Sequence, residues 1–459
     1  MSEPPPELEA IIVGGGLAGL STALRLCEGG VATMVLEAGP EVGGRARTLD
    51  VGGEPVDRGF QSLFTAYPAT SRMLRDIGIR KRDLIAFDRG AVVHDGTRWS
   101  RMGTSVRGTL GFEWFSAADT ARLARLGAEV AAVPSGALLA GTERGLDTHE
   151  YLVSKGFSDQ AIAGFFRPLF GVITADPGLH SDAAYFRFLM KMLLRGRAVV
   201  PVAGHGMIAS WAAAAVEQRG GQVRCQARVS EIVTDEDDRG QAVGVRVDGE
   251  VIRARTVVVA TEAPAARALL ADLDRQTARA LDLRPRGVTT LVYSLRTSLY
   301  AGRTIILNGA PDDGLAGAGR DGEHGRAPRI DLVCQESNLL RPGMGDGARL
   351  LATSVHGDAD APDPDVLAAG METLACTWNR GFPWAEVAEL VDVVVHPWAQ
   401  FAVPPGVRED LPDAGTGVDN VFLAGDVTMH PSVEGAVGSG ERAARVVQGY
   451  LARHPSGGA

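Results

Sequence analysis

Gly14, Gly16 and Gly19 spell GxGxxG near the start of the chain, a spacing that lets a main chain cradle a diphosphate. The first glycine permits a tight turn, the second lets backbone approach a pyrophosphate, and the third lets a helix lie close on a strand. Leu8 to Val13, before the motif, is a short apolar run of buried-strand type, and Leu20 to Cys27, after it, is an alanine- and leucine-rich helix. Gly29-Gly30 ends that helix, and Ala32 to Leu36 forms a second short strand ending at Glu37. The pattern predicts a βαβ unit. Leu17 and Ala18 open the helix, whose free N–H groups and positive dipole end would face phosphate. Glu37, followed by Ala38, stands where a ribose would lie; its carboxylate accepts hydrogen bonds from both hydroxyls and disfavours a 2′-phosphate. In a chain with 58 glycines the GxGxxG letters alone carry little, because a glycine turn in an unliganded α/β domain has the same spelling. The strand, helix and acid around them point to a dinucleotide.

The elements that must position this motif are spread along 459 residues, more than one hydrophobic core usually supports. Residues 65 to 200 read as mostly helical, with turns at Asp95-Gly96 and Pro134-Ser135-Gly136. Strands return from Gln222. Val243 to Val247 and Val251 to Arg255 flank Asp248-Gly249, a hairpin signal, and Val257 to Ala260 reads as a buried strand. Thr289 to Ser294, Thr304 to Leu307, Ile330 to Cys334 and Leu350 to Val355 are further strand-like runs. Gly309 to Pro328, rich in glycine and aspartate, predicts a mobile surface loop. Asn420 to Ala424 is a last buried strand before a turn and a helix. The expectation is an α/β chain with a discontinuous Rossmann-type domain built from 1–90, 201–265 and 396–459. An α+β substrate domain is inserted into it, with helices from 91–200 and an antiparallel sheet from 266–395.

The residues after Glu37 include Gly43-Gly44-Arg45-Ala46-Arg47-Thr48. They resemble the GGRxxT element of the glutathione-reductase-like flavoproteins that comprise monoamine oxidases, protoporphyrinogen oxidases and phytoene desaturases. Val421-Phe422-Leu423-Ala424-Gly425-Asp426, then Glu434-Gly435-Ala436-Val437-Gly438-Ser439-Gly440, resembles the second FAD element of that group. Ala227-Arg228-Val229-Ser230 is similar to its adenine clasp, and Val257 to Thr261 to the strand where the chain leaves the cofactor domain. These elements run in order over the whole chain, and the resemblance implies FAD as cofactor in a glutathione-reductase-like fold. It implies that Gly43, Gly44 and Arg45 wrap the pyrophosphate and ribityl chain, that Val229 holds adenine, and that Ala260 and Thr261 border the cofactor. It also implies that Gly425 and Asp426 meet the ribityl-phosphate region. Gly435, Ala436 and Val437 would offer helix-start N–H groups to the flavin O2 edge, where they stabilise the charge of the reduced ring.

Of the 46 basic residues only three are lysines, Lys81, Lys155 and Lys191. Resemblance to amine oxidases implies a lysine in the second half of the chain and an aromatic two residues before Glu434; no lysine follows Lys191, and that position is Ser432. Asp57 to Gln61 with Thr65 to Pro68, Phe165 to Gly171, and Pro201 to Met207 resemble the phytoene-desaturase-related branch, with His205 where a glycine is more usual. The implied function is oxidation or desaturation of a hydrophobic small molecule (an isoprenoid, polyene or cyclic metabolite) by hydride transfer to flavin N5, with oxygen or a quinone as electron acceptor. One alternative is an amine or cyclic-amine oxidase without the usual lysine. Another is a lipid-binding protein without flavin, resembling Rab GDP-dissociation inhibitors, which the intact Arg45 and Asp426 motifs argue against.

His205 and His430, the latter between the two halves of the C-terminal element, are the candidate catalytic residues, because an imidazole can be tuned for proton transfer near neutrality. Either also reads as a packed residue. His149, His180, His324, His356, His396 and His454 carry no sharper signal, and Trp398 and Phe401 read equally as pocket wall or core. Around residues 184–197, Arg187, Lys191 and Arg195 recur every fourth residue among Tyr185, Phe186, Phe188 and Leu189. Such a helix can make peripheral contact with an anionic membrane, or line an internal cavity with its cations paired. A net charge of −10 argues against nucleic acid. Four scattered cysteines, with no HExxH or HxxxH, predict neither a disulfide framework nor a metal site. The acidic, proline-rich start does not read as a secretory signal, and no run of about eighteen apolar residues predicts a spanning helix. The expected location is the cytoplasm, peripheral at the membrane if a membrane is touched at all.

Overall fold

A computed structural model describes residues 8–51, 53–102, 112–140, 145–235, 240–310, 327–340, 348–357 and 360–455. Residues 311–326 of the expected surface loop lie outside the described residues. At the centre is a five-stranded parallel sheet in the order Gln222–Arg224, Thr33–Leu36, Ala10–Val13, Thr256–Val259, Val421–Leu423. Its three central-to-edge strands Ala10–Val13, Thr256–Val259 and Val421–Leu423 are buried throughout, which is why they appear in the sequence as continuous apolar runs without alternation. Successive residues still face opposite layers. Ile12 and Val258 pack with the helices Leu17–Glu28, Gly206–Gln218 and Val433–Arg453, while Ile11, Val257 and Val259 pack with Ile232, Val245 and Val247 of a three-stranded sheet. The hairpin in that small sheet turns at Asp248 and Gly249, both with positive φ (50° and 86°), the conformation the Asp-Gly pair predicted.

The second layer is a seven-stranded sheet in the order Ala388–Phe401, Pro285–Leu295, Ala348–Gly357, Leu332–Gln335, Ile305–Asn308, Ala91–His94, Trp99–Met102. It is antiparallel except where Ile305–Asn308 meets Ala91–His94. The α/β fold class and the antiparallel sheet of the inserted part are as expected. Two details are corrected. Residues 91–102, read as part of a helical segment, are strands of this sheet, because their apolar positions pair with Ile306 and Leu307 rather than with a helix face. The strand Ala388–Phe401 runs across the expected boundary at residue 396, and its mixed exposure hid it from a search for buried runs.

The basic helix is Ala183–Arg195: Tyr185, Phe186, Phe188, Leu189 and Met192 are buried, as are Arg187 and Lys191, while its last residues Leu194 and Arg195 are exposed. Its cations serve the helix Ala117–Ala132. Lys191 Nζ donates to the carbonyls of Val133 and Ala131, and Arg195 donates to Ala131 at 2.9 Å. These oxygens lie at the negative end of that helix, where intrahelical donors run out. Arg187 lies 3.5 Å from Glu129 and over the Tyr151 ring. The pairing of these cations agrees with the alternative reading of 184–197, a helix that lines an internal cavity. Among the described residues no helix is long and apolar enough to cross a membrane.

The helices Leu17–Glu28 and Val433–Arg453 touch backbone to backbone. A Cβ at Gly440 would lie 2.4 Å from the Ala18 carbonyl oxygen and 2.9 Å from the Thr22 nitrogen. Gly440→Ala is expected to lower stability by about 1–3 kcal/mol through overpacking. Gly449→Ala in the same helix, where the nearest atom is a flexible arginine end at 3.5 Å, should be neutral or slightly stabilising. Thermal unfolding of the two variants side by side checks this.

Candidate active site

Between the two layers lies a cavity of about 1020 Å³ lined by both. At one end it is walled by Gly14, Gly16, Leu17 and Ala18. Gly14 takes φ +110°, and a Cβ there would sit 2.7 Å from the Ala260 oxygen; in front of Gly16 nothing lies within 4 Å. Gly16 is thus open to the cavity, and no side chain caps the first turn of Leu17–Glu28. That combination is a cradle for a diphosphate with donors already aimed at it. Gly19 is in no wall: its hydrogen faces the Gly14 carbonyl, where a Cβ would approach to 2.0 Å. Its role is to let the helix lie against the turn.

Glu37 ends the second strand and organises two loops. Its Oε2 accepts from the Gly15 N–H at 2.8 Å and Oε1 from the Gly39 N–H at 2.7 Å, and its own carbonyl accepts from Ala227. Glu37, Ala38, Ala227 and Val229 all face the cavity, as do Ala260 and Thr261 just after the strand Thr256–Val259. Gly43 and Gly44 turn with positive φ to present Arg45. The Arg45 guanidinium donates to Asp426 Oδ1 at 2.9 Å and to the Ala399 carbonyl at 3.0 Å, joining three chain segments that are far apart in sequence. Gly425, Asp426 and Ala436 line the cavity, but Gly435 and Val437 do not. Gly435 is pressed against the His430 carbonyl, its N–H is accepted by the N-cap Ser432, and Val437 is fully buried in the core. Ser432 and Val433 take their places in the wall.

Neither candidate catalytic histidine reaches the cavity. His205 is completely buried, with Nδ1 2.5 Å from Asp57 Oδ2 and its backbone N–H on Asp57 Oδ1 at 2.8 Å. Thr48 donates to the same carboxylate, and the Asp57 N–H points at the Glu336 carboxyl. Burial raises the Glu336 pKa well above the usual carboxyl range, helped by the charge of Asp57; Asp57 is itself held below the usual range, because His205 and Thr48 outweigh its burial. This cluster seats the turn that carries Gly59, Phe60 and Gln61 into the cavity wall. His430 packs its ring on Tyr185 and Phe188 and bonds Ser432. Burial, helped by the positive charge of Arg408, lowers its pKa to about 3. Glu434, expected only as a motif residue, accepts from the Ala69 and Thr70 N–H groups and caps the helix Pro68–Asp76. Trp398 and Phe401 pack with the core and are not in the cavity wall.

The histidine that sequence reasoning passed over, His396, does line the cavity. Nε2 lies 2.8 Å from the Arg58 carbonyl. A carbonyl only accepts, so Nε2 carries the proton and the neutral ring leaves Nδ1 as a bare acceptor. Burial lowers its pKa, and the charges of Arg58 and Arg45 add to this. Its only local signal is Trp398 two residues on, which reads equally as pocket wall or core. The rest of the cavity is apolar, with Phe165, Phe170, Leu189 and Met190 on the helical side and Ile305 and Val355 on the sheet side. Among the described residues no lysine lines it, and no group of histidine, cysteine and acidic side chains is placed to hold a metal.

A discontinuous parallel sheet with a diphosphate cradle, capped by an antiparallel sheet over an apolar chamber, defines a flavin-type oxidoreductase fold. Residues 17–448 match the model of the flavin-containing amine oxidoreductases, and the chain belongs to that family. It is an FAD-dependent oxidoreductase. It is 30% identical over 179 residues to a coproporphyrinogen III oxidase of Mycobacterium leprae, a match covering 36% of this chain and 37% of that protein. It is 39% identical over 84 residues to a 15-cis-phytoene desaturase of Narcissus pseudonarcissus, covering 18% and 15%. The matched stretch thus spans well under half the length of either relative. An oxidoreductase of Methanosarcina mazei shares the fold over 96% of this chain and 100% of its own, with a TM-score of 0.71 and 16% identity.

Glu37→Ala removes two charge-assisted hydrogen bonds to loop glycines and should weaken FAD binding by about 1.5–3 kcal/mol, or about tenfold to a hundredfold in Kd; flavin release on dilution measures it. The His430 imidazole is neutral in the folded chain down to about pH 3, but takes a proton near pH ~6.5 when unfolded. The unfolded state binds the extra proton, so stability is full above about pH 6.5 and falls by ~1.4 kcal/mol per pH unit below it. His430→Asn should flatten the dependence of urea stability on pH between about pH 6.5 and 5 by one proton. An unchanged slope would mean that the folded imidazole is already charged.

Proposed function

We propose that this enzyme oxidises or desaturates a hydrophobic small molecule of isoprenoid, polyene or cyclic type, passing the electrons on to oxygen or a quinone. The observation that carries this reading is the apolar chamber that continues from the dinucleotide cradle with no lysine in its wall among the described residues. When bound, FAD supplies a two-electron acceptor for C–H oxidation. Gly14, Gly16, Leu17 and Ala18 would hold its pyrophosphate, Glu37 and Ala38 a ribose, and Val229 the adenine. Gly43, Gly44, Arg45, Gly425 and Asp426 would hold the ribityl side, with Ala260, Thr261 and Ala436 completing the wall.

The chamber walls exclude water and orient an apolar substrate by shape, which lowers the entropy of reaching the reactive geometry. His396, whose Nε2 is held by the Arg58 carbonyl, would take a proton on Nδ1 when oxidation releases one. An amine substrate finds less support, because Ser432 replaces the aromatic and no lysine faces the chamber. The partial likeness to phytoene desaturases agrees with the apolar reading, and the longer likeness to a coproporphyrinogen oxidase keeps cyclic substrates within it.

The purified protein should be yellow, with flavin absorbance near about 450 nm. Anaerobic mixing with a panel of polyenes, cyclic alkenes and amines should bleach it with members of the first two groups. Bleaching by simple amines alone would overturn the proposal. His396→Gln should lower the rate about a hundredfold and remove the acid limb of its pH profile, while leaving bound flavin unchanged.

A further inference from the structure

At one end of the cavity exposed residues join its wall: Asp88, Arg89 and Gly90 after the strand Leu84–Ala86, Leu194 in the last turn of the helix Ala183–Arg195, and Arg197 just beyond it. The two segments are bonded to each other. Ala86 pairs with Val199, the Phe87 N–H donates to Ala198, and the Arg197 guanidinium donates to the Phe87 carbonyl at 3.2 Å. Arg197 therefore holds its charge within two residues of Arg89. Neither guanidinium has a carboxylate partner among the described residues, and Arg303 on the neighbouring loop has none either. The one acid at this mouth, Asp88, turns its Oδ2 to the Arg303 backbone N–H at 3.0 Å, and its own N–H donates to the Arg303 carbonyl. The carboxylate clasps this loop and makes no ion pair with either guanidinium among the described residues. Directly inside this rim the wall is apolar, with Phe87, Leu123, Leu193 and Leu194; Leu194 keeps 53% of its surface exposed. Arg228, the other exposed arginine in the wall, lies at the nucleotide end between Ala227 and Val229 and is a separate feature.

We propose that the substrate is an amphiphile with an anionic end group, a carboxylate or phosphate, held at the mouth by Arg89 and Arg197 while its apolar body enters the chamber. The inference rests on the apolar-substrate reading and sharpens it. A guanidinium pair can meet either oxyanion with parallel N–H donors. A charged end kept at the solvent boundary avoids the desolvation cost of a buried ion. It would also set the depth to which the body reaches, and so which C–H bond meets the reactive centre.

The test uses the flavin-loaded enzyme and three probes of equal chain length: dodecanoate, dodecyl phosphate and uncharged methyl dodecanoate. Binding is read by calorimetry and by perturbation of the flavin spectrum, at low and high salt. An anionic probe should bind about fivefold to tenfold more tightly than the ester. The preference should shrink with salt and in Arg89→Ala and Arg197→Ala, with ester binding unchanged. Arg89 makes no hydrogen bond or ion pair among the described residues, so its variant keeps the test valid even if Arg197→Ala loosens the mouth. Whether dodecanoate or dodecyl phosphate binds better identifies the end group. Equal binding of acid and ester, or a preference that survives in both variants, overturns the anionic mouth while leaving the apolar chamber intact. Failure of all three probes to bind overturns the apolar-substrate reading and this inference with it.

Discussion

Close approach of backbone to backbone around the first helix is the constraint on which this enzyme depends. Gly14 meets the Ala260 carbonyl, Gly19 meets the Gly14 carbonyl, and Gly440 meets the Ala18 carbonyl, each at a separation that a Cβ would violate. Together they pin Leu17–Glu28 between the central strand and the C-terminal helix, with its uncapped N-terminus left open on the cavity. Moving that helix outward by a methyl group would shift the donors that face the diphosphate and loosen the Arg45–Asp426 link across the same space. The cofactor cradle is therefore a packing result as much as a motif.

Titratable side chains inside this fold do mostly architectural work. Asp57, His205 and Glu336 join three segments, Glu434 caps a helix from another segment, and Arg45 bridges both layers. An ion left alone in such places would cost several kcal/mol, so each is matched by hydrogen bonds that only the assembled fold provides. The same economy explains the basic helix Ala183–Arg195. Its cations sit at the carbonyl end of Ala117–Ala132, which frees the opposite side of the helix to present Tyr185, Leu189 and Met190 to the chamber.

The chamber differs from the cradle in how it is specified. The cradle uses backbone groups fixed by local conformation, while the chamber uses side-chain volume drawn from a helix, several strands and the turn after Asp57. Its apolar body and arginine-rimmed mouth are consistent with one ligand class, and His396 is the histidine in its wall.

The amino-acid sequence by itself determined the βαβ unit, the flavin motifs, the Asp-Gly hairpin and the fold class, because those features depend on neighbours within a few residues and on local backbone rules. It also located most of the cradle: Gly14, Gly16, Glu37, Gly43 to Arg45, Val229 and Asp426 all face the cavity. Only the tertiary structure decided which histidine faces the chamber, where Gly19, Gly435 and Val437 are used, and that residues 91–102 are strands. Side-chain direction and long-range pairing set these outcomes, and neither is written in local spacing. His205 and His430 sit in motifs and His396 does not, yet it is His396 that the two packed layers turn towards the cavity.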